Sequence, residues 1–282
     1  MAKKYGLIID VTRCDGCGSC LLAVKDEYVG NNYPGYSAPQ PNEGQNWLDL
    51  VEVEQGHGTK LKLDYIPVMY QHNRNLKPIP GVPEGAMYVR EDGLTIIDPE
   101  KAKGCKAIYE AMKDKGVFWN EELQLPQIYT LDAHRMDEGE KLPRCVESCP
   151  TQAMHWGDLN DPESDVSKFI AGHPGEIEDY QPEEGADYVV RYYKLPKPFI
   201  AGEVMVCDSK DCVKGAKVTL TCADCGKTME TETDFFGDFE FKYLVKDATY
   251  TVKAEVPGYQ AKEVTVKLDE AKNLGEIVLE KL

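Results

Sequence analysis

The chain has 282 residues, 42% of them hydrophobic and 29% charged, so it can bury a core and is not a disordered protein. Asp and Glu outnumber Lys and Arg by 49 to 32, and the resulting formal charge of −17 repels phosphate backbones and anionic membrane surfaces. We therefore expect no nucleic-acid partner, and no apolar run approaches the ~20 residues of a membrane span.

The N-terminal segment predicts a short strand rather than a targeting signal. Its apolar run, Gly6 to Ile9, ends at Asp10 and is too short for the core of a secretory signal. We expect a cytoplasmic protein, or one that a partner carries elsewhere.

The first cysteine run follows this strand directly. Cys14, Cys17 and Cys20 are spaced Cys-x2-Cys-x2-Cys, with Gly16 and Gly18 between them to let the backbone fold tightly around a cofactor. The spacing is that of a bacterial ferredoxin run, which continues with x3-Cys-Pro. In this chain the fourth position is Val24, so the run is incomplete, and Leu21 to Tyr28 is predicted to form one or two helical turns.

The middle of the chain is predicted to consist mainly of loops. Residues 30–95 are rich in Pro, Gly and Asn and have only brief strand-like runs, at Trp47 to Glu54 and Leu61 to Tyr65. A helix is predicted for Pro99 to Met112, followed by a short apolar element at Phe118 to Asn120.

A second cysteine pair supplies the missing fourth ligand. Cys145 and Cys149, followed by Pro150, match the final Cys-x3-Cys-Pro of a second ferredoxin run. In two-cluster ferredoxins the last cysteine of one run ligates the other cluster, so we assign Cys149 to the cluster begun by Cys14, Cys17 and Cys20. Zinc is the main rival because four thiolates also suit it, but the Cys-Pro ending favours iron.

The other cluster positions of a ferredoxin-like protein carry apolar residues here. A second cluster would need Val24, Cys145 and two cysteines near Ile128 and Leu131, and only Cys145 is present. Two further segments have the spacing of cluster-binding runs but carry other residues where cysteines would stand. Because Cys105 then has no partner ligands, we expect it to be a free buried thiol. The first of these segments has Cys105, Ile108 and Met112 at the ligand positions, and the second has Val68, Gln71 and Leu76.

The composition changes near residue 198. Before it, Asp161 is predicted to cap a helix with Pro162 at its first position, and Tyr188 to Tyr193 reads as a strand. After it, seven short alternating runs separated by turns predict a β-sandwich. The runs cover 200–207, 216–222, 228–233, 238–244, 249–256, 262–268 and 274–281.

Four cysteines in the second part resemble a zinc set but are predicted not to form one. Cys207 and Cys212 precede a strand about 20 Å long, and Cys222 and Cys225 follow it, so the pairs are expected at opposite ends of the sandwich. We expect free thiols or local disulfides, without choosing between them. The five histidines form no motif with a nucleophile, so no active site is predicted in this chain.

Several segments resemble the iron-sulfur beta subunits of molybdopterin oxidoreductases of the dimethyl sulfoxide reductase superfamily. They are Cys14 to Cys20, Glu91 to Pro99, Pro143 to Pro150 and Trp156 to Pro162. Tyr33 to Ala38 with Trp47, and Phe235 to Phe241, are most similar to small subunits of the transhydroxylase type and to related resorcinol hydroxylase and catechol dehydroxylase subunits.

The fold expected from the pattern and the resemblance is α+β. Residues 1–198 are expected to form a ferredoxin-like 4Fe-4S domain with long loops and eroded additional cluster sites. Residues 199–282 resemble a transthyretin-like, or carboxypeptidase-regulatory-like, sandwich of seven strands.

The resemblance implies a non-catalytic electron-transfer and scaffolding subunit. It would carry one 4Fe-4S cluster, held by Cys14, Cys17, Cys20 and Cys149, where family members usually carry three or four. Molybdopterin, with Mo or W, is expected only in a catalytic partner that acts on a hydroxylated aromatic, in a heterodimer or larger assembly. A soluble electron donor is a further expected partner. The alternatives are a purely structural subunit with a redox-silent cluster and a stand-alone ferredoxin with a binding module.

Overall fold

The structure, a computed structural model, describes residues 3–282, and Met1 and Ala2 lie outside the described residues. The chain divides into two compact units. The first consists of the residues up to Glu52 together with Asp64–Leu195, and the second of Val53–Leu63 and Pro196–Leu282. A single boundary near residue 198 does not separate the two units, because the tip of a hairpin, Val53–Leu63, belongs to the second unit.

The first unit contains all five α-helices of residues 3–282, and short 3-10 turns at Val11–Arg13 and Lys113–Lys115. In chain order its elements, with the hairpin strands that extend into the second unit, are β1 (Tyr5–Asp10), α1 (Ser19–Tyr28), β2 (Leu48–His57), β3 (Lys60–Met69), β4 (Met87–Val89), β5 (Thr95–Ile97), α2 (Lys106–Met112), β6 (Phe118–Asn120), β7 (Leu125–Gln127), α3 (Ala133–Glu138), α4 (Arg144–Glu147), β8 (Met154–Asp158), α5 (Asp165–Gly172), β9 (Ile177–Glu178) and β10 (Val190–Tyr193).

A four-stranded sheet with the order β8-β1-β10-β9 forms the centre of this unit. Strand β1 pairs with β10 in parallel and with β8 antiparallel, so that Leu7 lies between Val190 and Trp156. All six residues of β1 are buried, which explains its almost uninterrupted apolar sequence. At its end the Asp10 carboxylate accepts hydrogen bonds from the backbone and hydroxyl of Thr12 and starts the turn that leads into the cysteine run.

The segment predicted as loops contains a long hairpin. Strands β2 and β3 have ten residues each and extend beyond the strand-like runs found in the sequence, β3 to about twice the length of its run. Gly56 allows the tight end of this hairpin, because its φ is +82° and a Cβ there would clash with the Lys60 carbonyl oxygen. The hairpin tip groups with the second unit through an ion pair between Lys60 and Asp238.

Two predicted helices begin later than expected. The helix predicted from Pro99 is α2, which starts only at Lys106, because the Asp98 carboxylate holds a separate turn and Gly104 has φ +75°. The helix predicted to be capped by Asp161 is α5, and its cap is Ser164, whose Oγ accepts the Ser167 N–H at 3.3 Å.

The second unit is a β-sandwich, and all seven of its predicted strands are confirmed. They are β11 (Ile200–Val206), β12 (Lys217–Cys222), β13 (Thr228–Glu232), β14 (Asp238–Phe241), β15 (Thr249–Glu255), β16 (Lys262–Lys267) and β17 (Lys272–Leu279). One sheet has the order β14-β11-β17 and the other β13-β12-β15-β16. Inward-facing residues of both sheets, such as Val204, Phe239, Val218 and Val252, form one buried apolar cluster.

None of the helices formed by residues 3–282 has the length and hydrophobicity required to span a bilayer.

Candidate functional site

The first three predicted ligands lie on a tight loop between the 3-10 turn and α1. Gly16 has φ +72°, and a Cβ there would lie 2.7 Å from the Tyr65 ring, so only glycine fits under this side chain. The Asp15 carboxylate accepts a hydrogen bond from the Cys17 backbone N–H at 3.2 Å. The loop thus presents Cys14, Cys17 and, in the first turn of α1, Cys20 within seven residues.

The fourth predicted ligand approaches from the short helix α4. Cys145 lies within α4, and Cys149 follows it in a turn closed by a hydrogen bond from its own N–H to the Val146 carbonyl. Helix α4 packs against α1, which brings Cys149 to the loop of the first run. The Ala153 N–H lies 3.3 Å from Cys149 Sγ and donates a hydrogen bond to it.

The four thiols lie within electrostatic reach of one another. Burial raises the pKa of the Cys14 thiol, and the charges of Cys149 and Cys17 raise it further. Burial raises the pKa of Cys20 to about 12, again with contributions from the three other cysteines. Without a positive charge Cys14 and Cys20 are therefore thiols, and a bound cationic metal centre is what would stabilise them as thiolates.

This donor set fits a 4Fe-4S cluster. Within residues 3–282 no three His, Cys, Asp or Glu side chains converge as ligands of a single metal ion. A cubane distributes four thiolates over four separate irons, and the set from Cys14, Cys17, Cys20 and Cys149 supplies one sulfur for each. All four are free cysteines.

Cys145 has a different environment from Cys149. Its side chain is fully buried, and burial raises the pKa of its thiol well above the usual value. The charges of Asp132 and Cys20 raise this pKa further, whereas Tyr129 lowers it. Cys145 is therefore a protonated neighbour of the four-thiol group in a dry pocket.

Asp132 is a buried carboxyl group that sequence reasoning missed. Its Oδ2 accepts hydrogen bonds from the Tyr129 hydroxyl at 2.9 Å and from the Arg144 backbone N–H at 2.6 Å, and its Oδ1 has no partner. Burial raises the pKa of this carboxyl. No sequence motif includes Asp132. In the structure its backbone is left-handed, with φ +55°.

His72 is a second buried polar residue that spacing did not reveal. Its Nδ1 accepts the Thr95 N–H at 2.9 Å, so its Nε2 carries the proton and donates to the Tyr129 carbonyl at 3.0 Å. Burial lowers the pKa of His72 to about 3, which keeps the ring neutral. The ring thereby fixes the backbone of Tyr129, which in turn contacts Asp132.

A polar network ties the helices around the cysteines together. Glu27 on α1 accepts hydrogen bonds from Tyr33 at 2.8 Å and contacts His134 of α3 at 3.0 Å. Arg144 of α4 forms ion pairs with Glu27 and Asp26 of α1. The network holds α1, α3 and α4 in the arrangement that brings Cys149 to the first run.

The positions of the missing cluster ligands lie in packed apolar surroundings. Val24, Ile128 and Leu131 are each at most 2% exposed. Ile108 and Met112 belong to a buried apolar cluster, against which Leu76 and Cys105 pack. Cys105, expected to be buried, is half-buried and free.

The four cysteines of the sandwich separate into two pairs. Cys222 and Cys225 form a disulfide in the turn between β12 and β13, whereas Cys207 and Cys212 are free. The turn with the disulfide is tied to the start of β15 by a hydrogen bond from the Thr249 N–H to Asp224. Cys207 follows the far end of β11, so the pairs lie at opposite ends.

Two family models match the chain. One, described as a carboxypeptidase regulatory-like domain, matches residues 200–280, and the other, described as a 4Fe-4S dicluster domain, matches residues 61–159. The first match coincides with the sandwich. The second includes Cys145 and Cys149 but not the first run.

Similar proteins are iron-sulfur or small subunits of larger enzymes. The chain is 32% identical to the pyrogallol hydroxytransferase small subunit of Pelobacter acidigallici, over 98% of this chain and 100% of that protein. It is 35% identical to a putative iron-sulfur subunit of dimethyl sulfoxide reductase from Halobacterium salinarum, over 60% of this chain and 71% of that protein. A tetrathionate reductase subunit of Salmonella typhimurium is 29% identical, over 70% of this chain and 75% of that protein.

Proposed function

Since the chain belongs to the family of iron-sulfur subunits of molybdopterin oxidoreductases that includes the pyrogallol hydroxytransferase small subunit, we propose that it transfers electrons for a catalytic partner of that kind. It does so with one 4Fe-4S cluster and also serves as a scaffold. The reaction on the substrate takes place in the partner, which holds the molybdopterin.

The observation that carries this proposal is the meeting of two distant cysteine segments. The first run and Cys149 are separated by more than a hundred residues, yet the charge of Cys149 raises the pKa of both Cys14 and Cys20. Cys14, Cys17, Cys20 and Cys149 are the residues that would hold the cluster. The cluster would supply a centre that accepts and releases one electron.

The chain's own residues bury and orient the site. Tyr65 covers the loop at Gly16, and Cys20 and Cys145 are buried. The Ala153 N–H donates to Cys149 Sγ, and such hydrogen bonds to sulfur, together with limited solvent exposure, set the reduction potential of iron-sulfur centres.

The proposed substrate class rests on a relative that aligns with nearly the whole chain. That protein is named for pyrogallol hydroxytransfer and aligns with this chain along its whole length. We assign a hydroxylated aromatic as the substrate of the partner, and hydroxyl transfer, hydroxylation or dehydroxylation as the reaction. The assembly is a heterodimer or a larger complex in the cytoplasm, and its external electrons, where needed, come from a soluble donor.

One observation favours a purely structural role as the second candidate. The positions where further clusters would be held are occupied by buried apolar side chains such as Val24, Ile128 and Leu131, which leaves no ligands for an onward relay. Under this second candidate, the cluster would hold the loops together and keep one oxidation state.

The experiment is a spectroscopic titration of the complex purified without oxygen from its native source. We expect one molybdopterin subunit per chain, four irons and four sulfides per chain, and a change in the cluster's electron paramagnetic resonance signal when a polyphenol substrate or a reductant is added. A signal that stays constant through turnover would establish the structural role. A chain that purifies as a stable monomer would contradict the partner assignment.

A further inference from the structure

Asp132 is an uncompensated acid beside the proposed cluster site. It is completely buried, its Oδ1 has no hydrogen-bond partner, and no ion pair involves it within residues 3–282. The nearby Arg144 side chain is directed to Asp26, Glu27 and Glu147 instead. A buried carboxylate without a cation is costly, and protonation removes that cost.

A short chain of contacts links Asp132 to the four-thiol group. The Tyr129 hydroxyl donates to Asp132, and so does the backbone N–H of Arg144, the residue that precedes Cys145 in α4. The Cys145 thiol lies within electrostatic reach of both Asp132 and Cys20. Cys145 therefore stands between Asp132 and the four-thiol group in a dry region, where screening of a change of charge is weak.

His134, two residues along on α3, pairs with Glu27 rather than with Asp132. The groups whose charges or hydrogen bonds act on Asp132 do not titrate near neutral pH. They are Glu27 and Tyr28 of α1, Tyr33, Tyr129, and Arg144 and Cys145 of α4. The pKa values of the tyrosines and of Cys145 are raised, so these groups stay protonated. Glu27 has a lowered pKa and stays ionised, Arg144 has a raised pKa and stays charged, and His72, behind Tyr129, stays neutral. Among these groups, burial moves only the carboxyl of Asp132 toward neutral pH.

We propose that Asp132 takes up one proton when the cluster is reduced and releases it when the cluster is re-oxidised. This step rests on the proposed function. One electron from the catalytic partner enters the cluster, and one proton from solvent joins the Asp132 carboxylate, so the charge of the site does not change. Because coupling is reciprocal, protonation of Asp132 makes reduction easier by the same factor.

The test is the pH dependence of the cluster's reduction potential in the intact complex. Within the range where Asp132 titrates, the potential should fall by up to about 59 mV for each tenfold drop in proton activity, the value for one proton per electron. Asp132→Asn, which has nearly the same size and keeps an oxygen to accept the Arg144 N–H, should give a potential independent of pH in that range.

Asp137→Asn is the matched control. Asp137 lies on α3, the helix that Asp132 precedes as N-cap. It is partly exposed, and Arg90 lowers its pKa to about 2, so it is ionised in both states of the cluster. This variant should retain the wild-type slope. A flat wild-type profile, or an unchanged slope in Asp132→Asn, overturns the proposal.

A second measurement requires no variant to fold. Reduced-minus-oxidised infrared spectra of the wild-type complex should show the carbonyl band of a protonated carboxyl that appears on reduction and shifts with isotope-labelled aspartate. Absence of that band overturns the coupling while leaving the proposed function intact, provided that iron and sulfide counts show a reducible 4Fe-4S cluster. A missing or irreducible cluster overturns the proposed electron transfer itself.

Discussion

Cys145 and Cys149 are only four residues apart, yet their surroundings suit different roles. Cys149 is half-buried and accepts a backbone hydrogen bond, as a metal-bound thiolate does. Cys145 is fully buried, and its raised pKa keeps it protonated. The assignment of Cys149 rather than Cys145 to the cluster stays a prediction from the spacing, because Cys20, a predicted ligand, is also buried and has a raised pKa.

Substitution of the two cysteines distinguishes their roles. Cys149→Ala should lose the 4Fe-4S signal or leave a three-iron species, because three thiolates leave one iron labile. Cys145→Ala should retain four irons and lose only packing, at a cost on the order of 1 kcal/mol of unfolding free energy. Both variants are compared by their iron content and their electron paramagnetic resonance spectra. An intact cluster in Cys149→Ala together with a damaged cluster in Cys145→Ala would reverse the assignment.

At this scale the sequence predicts the soft ligands but not the polar residues behind them. Cys14, Cys17 and Cys20 are found by spacing, because a tight loop around a cofactor dictates local separations. Asp132 and His72 have no such pattern, since their roles depend on burial and on partners distant in the chain. The hydrogen bond from His72 to the Tyr129 carbonyl is visible only in the structure.

Among the structural elements, α5 shows how a helix start is decided by a single side chain. The sequence predicts Asp161 as its cap because Pro162 follows, whereas the cap in the structure is Ser164. In the structure the Asp161 carboxylate holds a separate turn by accepting the Glu163 N–H at 2.9 Å. Ser164 instead accepts the Ser167 N–H and donates to the Asp158 carbonyl.

Alanine substitutions test which residue caps α5. Ser164→Ala should lower the free energy of unfolding by about 1 kcal/mol, the usual cost of losing a cap. Asp161→Ala, the matched control on the exposed turn, should change it by less than about 0.5 kcal/mol. Denaturant unfolding followed by circular dichroism under anaerobic conditions compares the two. An equal loss in both variants would mean that the turn and the helix form one unit.

Elements with strict alternation were predicted well, and the hairpin was not. In β15, for example, Tyr250, Val252 and Ala254 face the core while the residues between them are partly exposed. Strands β2 and β3 lack this regularity, because Gly56 interrupts β2 and the apolar Leu61 and Leu63 of β3 are exposed. Their length depends on pairing with each other, which no local pattern reveals.

For the whole molecule, the separate core of the sandwich predicts an independent fold without iron. A fragment of Pro196–Leu282 should give the circular dichroism of a β protein and contain no iron or sulfide, whereas the full chain prepared in parallel contains both. The fragment lacks the hairpin tip, so Asp238 loses its ion pair with Lys60, and we expect a lower thermal midpoint than for the same unit in the full chain. Four irons and four sulfides per fragment would contradict the assignment of the cluster to the first unit.

The partners of the hairpin tip are synthesised long after the tip itself. Lys60 pairs with Asp238 across 178 residues, and Asn273 contacts Thr59 across 214. At a synthesis rate of about 5 to 20 residues per second, these partners are made roughly ten to forty seconds after the tip. During that interval the tip is held only by the pairing of its own two strands, so slow translation of the sandwich should lengthen the time before the second unit is complete.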